Sequence, residues 1–101
     1  MPYTPPENPF YTHTLSKPFP YMGEELLEIS LREPTSGDLM RIGNPVKYDL
    51  RFSPPDLSFD DEKSFKMIAA LAGMSVAPLE KLSPGDAISL QWAMAKFFIP
   101  Q

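Results

Sequence analysis

The chain has 101 residues, of which 43% are hydrophobic and 22% charged, and its formal net charge is -4. This length suffices for one domain with a single core, and an acidic chain with dispersed lysines and arginines argues against nucleic acid as the main partner. Because the chain contains no cysteine, disulfides, thiolate metal sites and cysteine nucleophiles are excluded. The sequence shows neither an apolar run near the ~18 residues of a membrane span nor a secretion signal, so we expect no membrane partner and a cytoplasmic location.

Residues 1–12 form a proline-rich segment that we predict to be disordered. Proline lacks the backbone N–H and fixes φ, so four prolines within twelve residues prevent a helix or a central strand. Its aromatic side chains, Tyr3, Phe10 and Tyr11, could dock on a partner or a second copy, but a leader that is dispensable for folding is the simpler interpretation. Residues 13–101 are therefore assigned to one domain.

Two segments after this leader are predicted to pair as an antiparallel hairpin. Residues 13–19 read as a short strand, and residues 20–23 supply a turn. Residues 25–32 alternate in polarity, with Leu27, Ile29 and Leu31 on one face. Residues 46–52 also alternate and are predicted as a third strand, or as an extended loop whose apolar side packs on the core. Residues 53–56 are interpreted as a linker.

Helix signals occur at four places in the rest of the chain. The residues that cap or open helices are Thr35 or Ser36, Ser58 or Asp60, Pro78, and Ser83. The first helix ends at residues 43–45 and the second at Gly73. In the last helix Asp86 is expected to reach back toward the cap, and this helix is predicted to run to about Phe98. The order of elements favours an α+β fold with a small antiparallel sheet, made of the hairpin and the third strand, followed by a C-terminal group of helices.

The sequence shows no constellation of residues that would perform chemistry. His13 is the single histidine and no catalytic partners adjoin it in sequence. The acidic run 60–62 is explained better by the electrostatics of a helix start than by a metal site, because adjacent residues on a helix point apart. The prediction is therefore a non-enzymatic protein without metal or cofactor.

The C-terminal helix carries more large apolar residues than one buried stripe requires. Of these, Met94, Phe97 and Phe98 are our candidates for a partner-binding surface. The alternative is that the domain core or a homo-oligomer buries all of them.

Three motifs in a fixed order resemble a known family. They are LREPTSGDL at 31–39 with RIGNP at 41–45, IAALAG at 68–73 followed by Pro78, and LSPGD at 82–86 followed by Phe97 and Phe98. This succession resembles the small tail-assembly chaperones of long-tailed phages, the Mu-like group and its relatives, over residues 13–99. The matched positions are explained by turns and caps, so we interpret them as specifying the fold.

The resemblance implies an assembly factor that binds the tape-measure protein and keeps it soluble in the host cytoplasm while the tail tube polymerises, and that is absent from the finished virion. Some members of the family also have a longer frameshifted product. A small structural virion or adaptor protein is the first alternative. A DNA-binding regulator is the second, although residues 77–98 would then present Lys96 as the single cation of the recognition helix.

Overall fold

The computed structural model describes residues 3–49, 51 and 56–99. Its strands and helices, in chain order, are β1 (Tyr11–Tyr21), β2 (Glu24–Leu31), α1 (Ser36–Ile42), β3 (Val46–Asp49), β4 (Asp56–Phe59), α2 (Asp61–Ala72), a short 3₁₀ helix (Ala77–Lys81) and α3 (Pro84–Ala95). This mixture confirms the predicted α+β class.

β1 and β2 form the predicted antiparallel hairpin. Tyr21 pairs with Glu24 across a two-residue turn, and both turn residues, Met22 and Gly23, have positive φ values of 52° and 78°. A type I′ turn requires positive φ at both central positions and matches the twist of the flanking strands. The turn therefore sets the register at this end of the hairpin.

A bulge interrupts the hairpin at its middle. Between the pairs Thr14–Glu28 and Phe19–Leu26, four residues of β1 lie opposite the single residue Leu27 of β2. The bulge breaks the alternation expected for β2, so Leu26 packs against the core and Leu27 is 66% exposed. The prediction that Leu27 shares the buried face with Ile29 and Leu31 was wrong for this reason.

The predicted third strand forms, but it does not join the hairpin. β3 pairs with β4 in a separate antiparallel two-stranded sheet, from Val46 opposite Phe59 to Asp49 opposite Asp56. Asp56, which was assigned to a linker, therefore begins a strand, and the helix start expected at Ser58 or Asp60 falls at Asp60. The rest of the predicted strand and linker lies outside the described residues, except for Arg51 in a turn.

The helix boundaries follow the predicted caps closely. Thr35 caps α1 in a complete capping box with Asp38, and Asp60 and Ser83 cap α2 and α3. Gly73 ends α2 in the left-handed conformation, at φ 74° and ψ 35°. The exception is the end of α3, which stops at Ala95 and not near Phe98, so residues 96–99 form turns and bends beyond the helix.

The core lies between the β1–β2 hairpin and the helices. α2 packs on β2, α3 packs on β1, and the two helices contact each other. The large side chains that are almost fully buried include Phe19, Ile29, Leu31, Met67, Ile68, Leu71, Leu90 and Met94. Burial of each contributes roughly 1.5–3 kcal/mol, so packing in this layer stabilises the fold strongly.

The N-terminal segment does not match the boundary drawn at residue 12. β1 begins at Tyr11, and Tyr3 and Phe10 are partly buried against the core. The Tyr3 hydroxyl donates a hydrogen bond to the carbonyl oxygen of Ala72, and its ring packs edge-on against Tyr21 with centroids 5.3 Å apart. The expectation of disorder is therefore wrong for Tyr11 and Thr12, which belong to the sheet.

Candidate partner-binding surface

The three predicted partner-binding residues occupy different environments. Met94 lies in α3 and is completely buried in the core. Phe97 is 38% exposed and Phe98 packs partly against the core, both beyond the end of α3. The turn brings Phe97 and Phe98 together, while Met94 lies beneath the surface and cannot contact a partner directly.

Phe97 and Phe98 line a shallow cavity of about 190 Å³ whose walls are more polar than apolar. The other side of the cavity is the entry to α1, formed by Pro34, Thr35, Ser36 and Leu39. Leu39 is 40% exposed, and the neighbouring Met40 is 85% exposed. We refer to Pro34, Leu39, Phe97 and Phe98 as the C-terminal apolar surface.

A buried carboxylate fixes the position of this helix entry. Asp38 is 1% exposed and accepts hydrogen bonds from both terminal nitrogens of Arg32, at 2.8 and 2.9 Å. It also accepts one from the backbone N–H of Thr35 at 2.8 Å, and Arg41 forms an ion pair with it. The hydrogen bonds from Arg32 are the main reason that the pKa of Asp38 is held well below its usual range, against the opposing effect of burial.

The same motif is tied to α2. The backbone N–H of Arg32 donates to the carbonyl oxygen of Leu71 at 3.0 Å. The residues of the 31–39 motif therefore connect β2, α1 and α2. This supports the interpretation that they specify the fold, and they also hold one wall of the cavity in place.

Another depression, with a mainly apolar lining, lies between α2 and the 3₁₀ helix. It has a volume of about 320 Å³, with Phe65, Val76, Ala77 and Leu79 among its lining residues. Its charged lining residues are Glu62, Lys66 and Glu80, and Lys66 forms an ion pair with Glu62 at 2.9 Å. Sequence reasoning missed this groove, because its two sides come from elements separated along the chain.

The outer face of α3 also presents apolar side chains. Ile88 and Trp92, one turn apart, are 52% and 56% exposed. The ring of Trp92 packs edge-on against Phe59 of β4, with centroids 5.2 Å apart. This contact joins the small β3–β4 sheet to α3.

The folded chain brings polar partners to His13 that are distant in sequence. His13 Nε2 lies 2.9 Å from Asp86 Oδ1, and the backbone N–H of Ser16, within the β1 bulge, donates to both Asp86 oxygens at 3.2 and 3.1 Å. The hydroxyls of Ser16 and Ser83 also donate to Asp86, at 2.9 and 2.8 Å. Asp86 thus accepts a hydrogen bond from the Ser83 hydroxyl, but most of its hydrogen bonds are with His13 and Ser16 of β1.

This arrangement suits a structural role better than nucleophilic catalysis. In a Ser-His-Asp site the histidine lies between the acid and the nucleophile, whereas here the carboxylate contacts both serines and the other ring nitrogen of His13 faces the Tyr11 hydroxyl at 3.0 Å. Burial alone would raise the pKa of Asp86, but hydrogen bonds from His13, Ser83 and Ser16 lower it to about 2. The cluster is a buried anion that docks α3 on β1.

Among residues 3–49, 51 and 56–99, no group of three histidine, aspartate or glutamate side chains is arranged to hold a metal ion. In the same part of the chain, no helix combines the length and apolar character needed to cross a bilayer.

The described residues form an α+β domain whose surface carries one mainly apolar depression and one of mixed character, features that are typical of protein-binding domains. The chain matches the family described as "phage tail assembly chaperone proteins, E, or 41 or 14" over residues 12–99, and it belongs to that family. The resemblance seen in the three motifs is thereby confirmed. No curated protein and no solved structure matches the chain.

Family membership assigns this chain a chaperone role in phage tail assembly, with protein partners in that process. Membership of a chaperone family also indicates a non-enzymatic role. The region matched begins at Thr12, so residues 1–11 lie outside the part that matches the family.

Proposed function

We propose that this chain binds the tape-measure protein and keeps it soluble in the host cytoplasm while the tail tube assembles around it. The supporting observation is the C-terminal apolar surface on a member of a tail-assembly chaperone family. A long helical client presents apolar helix faces that aggregate when free, and a chaperone shields such faces by offering an apolar groove.

The geometry of this surface fits an anchoring side chain of a client helix. A cavity between Leu39 and Phe97 can receive an apolar side chain, and the hydroxyl of Ser36 at the cavity can supply a polar contact. Met94, although buried, belongs to this proposal as the residue that packs beneath the turn. The client thus contacts Phe97, Phe98 and Leu39, and Met94 positions them.

The test is Phe97→Asp, with two controls that separate binding from folding. Phe97→Asp should stay folded, because the side chain is already 38% exposed, and should weaken co-purification with a tape-measure fragment at least about tenfold. Leu27→Asp changes a 66% exposed leucine on the hairpin and should leave binding unchanged. Leu71→Asp places an unpaired charge in the core and should unfold the domain.

If Phe97→Asp is folded and binds as tightly as the original chain, the client surface is wrong and the groove between α2 and the 3₁₀ helix becomes the next place to test. Solubility provides a second readout. A tape-measure fragment expressed alone should pellet, and co-expression with the chain should retain it in the supernatant.

The proposal also concerns where the protein is found and how it behaves without client. A chaperone should be missing from purified virions, so mass spectrometry that detects the chain there in stoichiometric amount would favour the alternative of a structural virion or adaptor protein. Free protein is proposed to self-associate through the part of this surface that stays exposed, which includes Leu39 and the exposed 38% of Phe97. Light scattering should show a concentration-dependent mass that Phe97→Asp reduces.

A further inference from the structure

We propose that the N-terminal segment, residues 3–10, acts as an intramolecular cover in which Phe10 shields part of Phe97 on the C-terminal apolar surface, and that the client displaces this segment on binding. This inference rests on the proposed function, because it concerns access to the same surface. It assigns a role to a segment that lies outside the region shared with the family.

One end of the cover is Phe10, which packs directly on the proposed client site. The rings of Phe10 and Phe97 meet edge to face, with centroids 4.7 Å apart and planes at 76°. The ammonium group of Lys96 lies 5.3 and 5.1 Å from the two ring centroids and adds a cation–π contact to each. Phe10 therefore occupies apolar surface of Phe97 that a client side chain would otherwise contact.

The other end of the cover is Tyr3, at the opposite end of the hairpin. Its backbone N–H donates to a carboxylate oxygen of Glu24 at 3.2 Å, and its hydroxyl donates to the carbonyl of Ala72. At the Phe10 end the backbone N–H donates to the carbonyl of Leu31 at 2.9 Å. Since Glu24 and Leu31 are the two ends of β2, the segment runs the length of that strand.

The contacts between these ends are suited to reversible release. Pro5, Pro6 and Pro9 have no N–H to donate, so the segment cannot add a regular strand to the sheet. Among the described residues, the hydrogen bonds from this segment to the rest of the chain arise at Tyr3 and Phe10. Opening the cover therefore breaks few hydrogen bonds and leaves the β1–β2 ladder intact.

A cover of this kind lowers the apparent affinity for client by the fraction of molecules in which it is open. Phe97 keeps 38% of its surface exposed with Phe10 in place, so a client can make its first contact before displacement. Loss of one edge-to-face aromatic pair corresponds to a change of roughly threefold to tenfold in that equilibrium.

The test compares three variants by calorimetric titration of a tape-measure fragment. Phe10→Ala should lower the Kd roughly threefold to tenfold. Tyr3→Phe removes the hydroxyl at the far end of the cover without touching Phe97, and should also lower the Kd. Thr4→Ala changes an exposed residue between the two ends and should leave the Kd unchanged.

A client-independent arm measures fluorescence of the apolar dye 8-anilinonaphthalene-1-sulfonate with free protein. Phe10→Ala should raise the dye signal, and adding Phe97→Ala to it should remove the increase. Circular dichroism checks that each variant is folded at the assay temperature. If Phe10→Ala is not folded, Tyr3→Phe decides the matter, with a lower Kd supporting the cover and an unchanged Kd overturning it.

The outcomes separate this proposal from the proposed function. If the fragment binds but folded Phe10→Ala leaves the Kd unchanged or raises it, the cover is overturned while the client assignment stands. If no variant binds the fragment, the client assignment fails, and the dye fluorescence of the free protein then tests the cover. An increase with Phe10→Ala that depends on Phe97 then supports the cover, and no increase overturns it.

Discussion

Asp38 shows how a single residue of the 31–39 motif acts on the folded chain. Its carboxylate accepts hydrogen bonds from the Arg32 guanidinium and from the backbone and hydroxyl of Thr35. The first turn of α1 also benefits from a negative charge near its N-terminus. A residue that could be predicted as a helix-start aspartate therefore also holds the end of β2 against the start of α1.

Replacing Asp38 with asparagine should destabilise the domain by about 2–3 kcal/mol, because hydrogen bonds to a buried charge are lost and the guanidinium loses its counterion. Urea unfolding followed by circular dichroism measures the change. Glu28→Gln, on an exposed position of β2, is the matched control and should shift stability by no more than about 0.5 kcal/mol. Equal small effects from both would show that the Asp38 contacts contribute little.

The lowered pKa of Asp86 predicts that the domain loses stability in acid. Its pKa is lowered to about 2 in the folded protein and lies near 3.9 in an unfolded chain. The ionised carboxylate therefore stabilises the fold above the unfolded value, and this stabilisation is lost as pH falls from about 5 toward 2. Asp38, whose pKa is also lowered, acts in the same direction.

The expected result is a falling urea midpoint between pH 5 and pH 2, with a shallower fall in Asp86→Asn. That variant should also be less stable than the original chain at neutral pH, because His13 and Ser16 lose an ionised partner. An identical slope in both proteins would show that Asp86 does not contribute to acid sensitivity.

At the scale of elements, features set by local sequence could be predicted, whereas features set by long-range contacts could not. Helix starts at Thr35, Asp60 and Ser83 were predictable because a cap acts on backbone groups within three residues. The pairing of β3 with β4 was not, since a four-residue strand after two prolines carries no signal of its partner. The early end of α3 was missed because apolar spacing continues to Phe98 even though the helix does not.

The bulge in β1 contributes directly to the packing of α3 on this strand. It releases the N–H of Ser16 from the strand ladder and directs it to Asp86 at the start of α3. Ser16→Pro removes this donor and should destabilise the fold by about 2–3 kcal/mol. Ser16→Ala removes the hydroxyl alone and should cost about 1 kcal/mol.

Denaturant melts of the two serine variants, compared side by side, provide the measurement. If the proline and alanine variants are equally stable, the backbone donor is unimportant and α3 is held on β1 by apolar packing.

At the scale of the whole molecule, the N-terminal segment is part of the folded unit in spite of its composition. Proline content correctly predicts that residues 3–10 contain no helix or strand, but it does not reveal that Tyr3 and Phe10 find apolar partners at both ends of the hairpin. The candidate site was predictable to a similar degree. Phe97 and Phe98 are candidates from excess apolar character, whereas their proximity to Leu39 and Phe10 is visible only in the tertiary arrangement.

Removing residues 1–10 should therefore lower the Tm by roughly 4–8 °C, because the lost burial is about 1 kcal/mol and a change of this size shifts the Tm of a small domain by that much. This replaces the expectation that the segment is dispensable. Differential scanning calorimetry of the chain beginning at Tyr11 gives the answer, with Thr4→Ala as the control that should melt like the original. An unchanged Tm would restore the interpretation as a disordered leader.

The contact between Trp92 and Phe59 gives the molecule a built-in optical reporter. Trp92 is the single tryptophan of the chain, and its ring rests on β4 and not in the main core. Its emission therefore reports on the docking of the β3–β4 sheet, while far-ultraviolet dichroism is dominated by the helices. The two signals can be followed in one titration, and a fluorescence change at lower denaturant would reveal that the small sheet detaches before the domain unfolds.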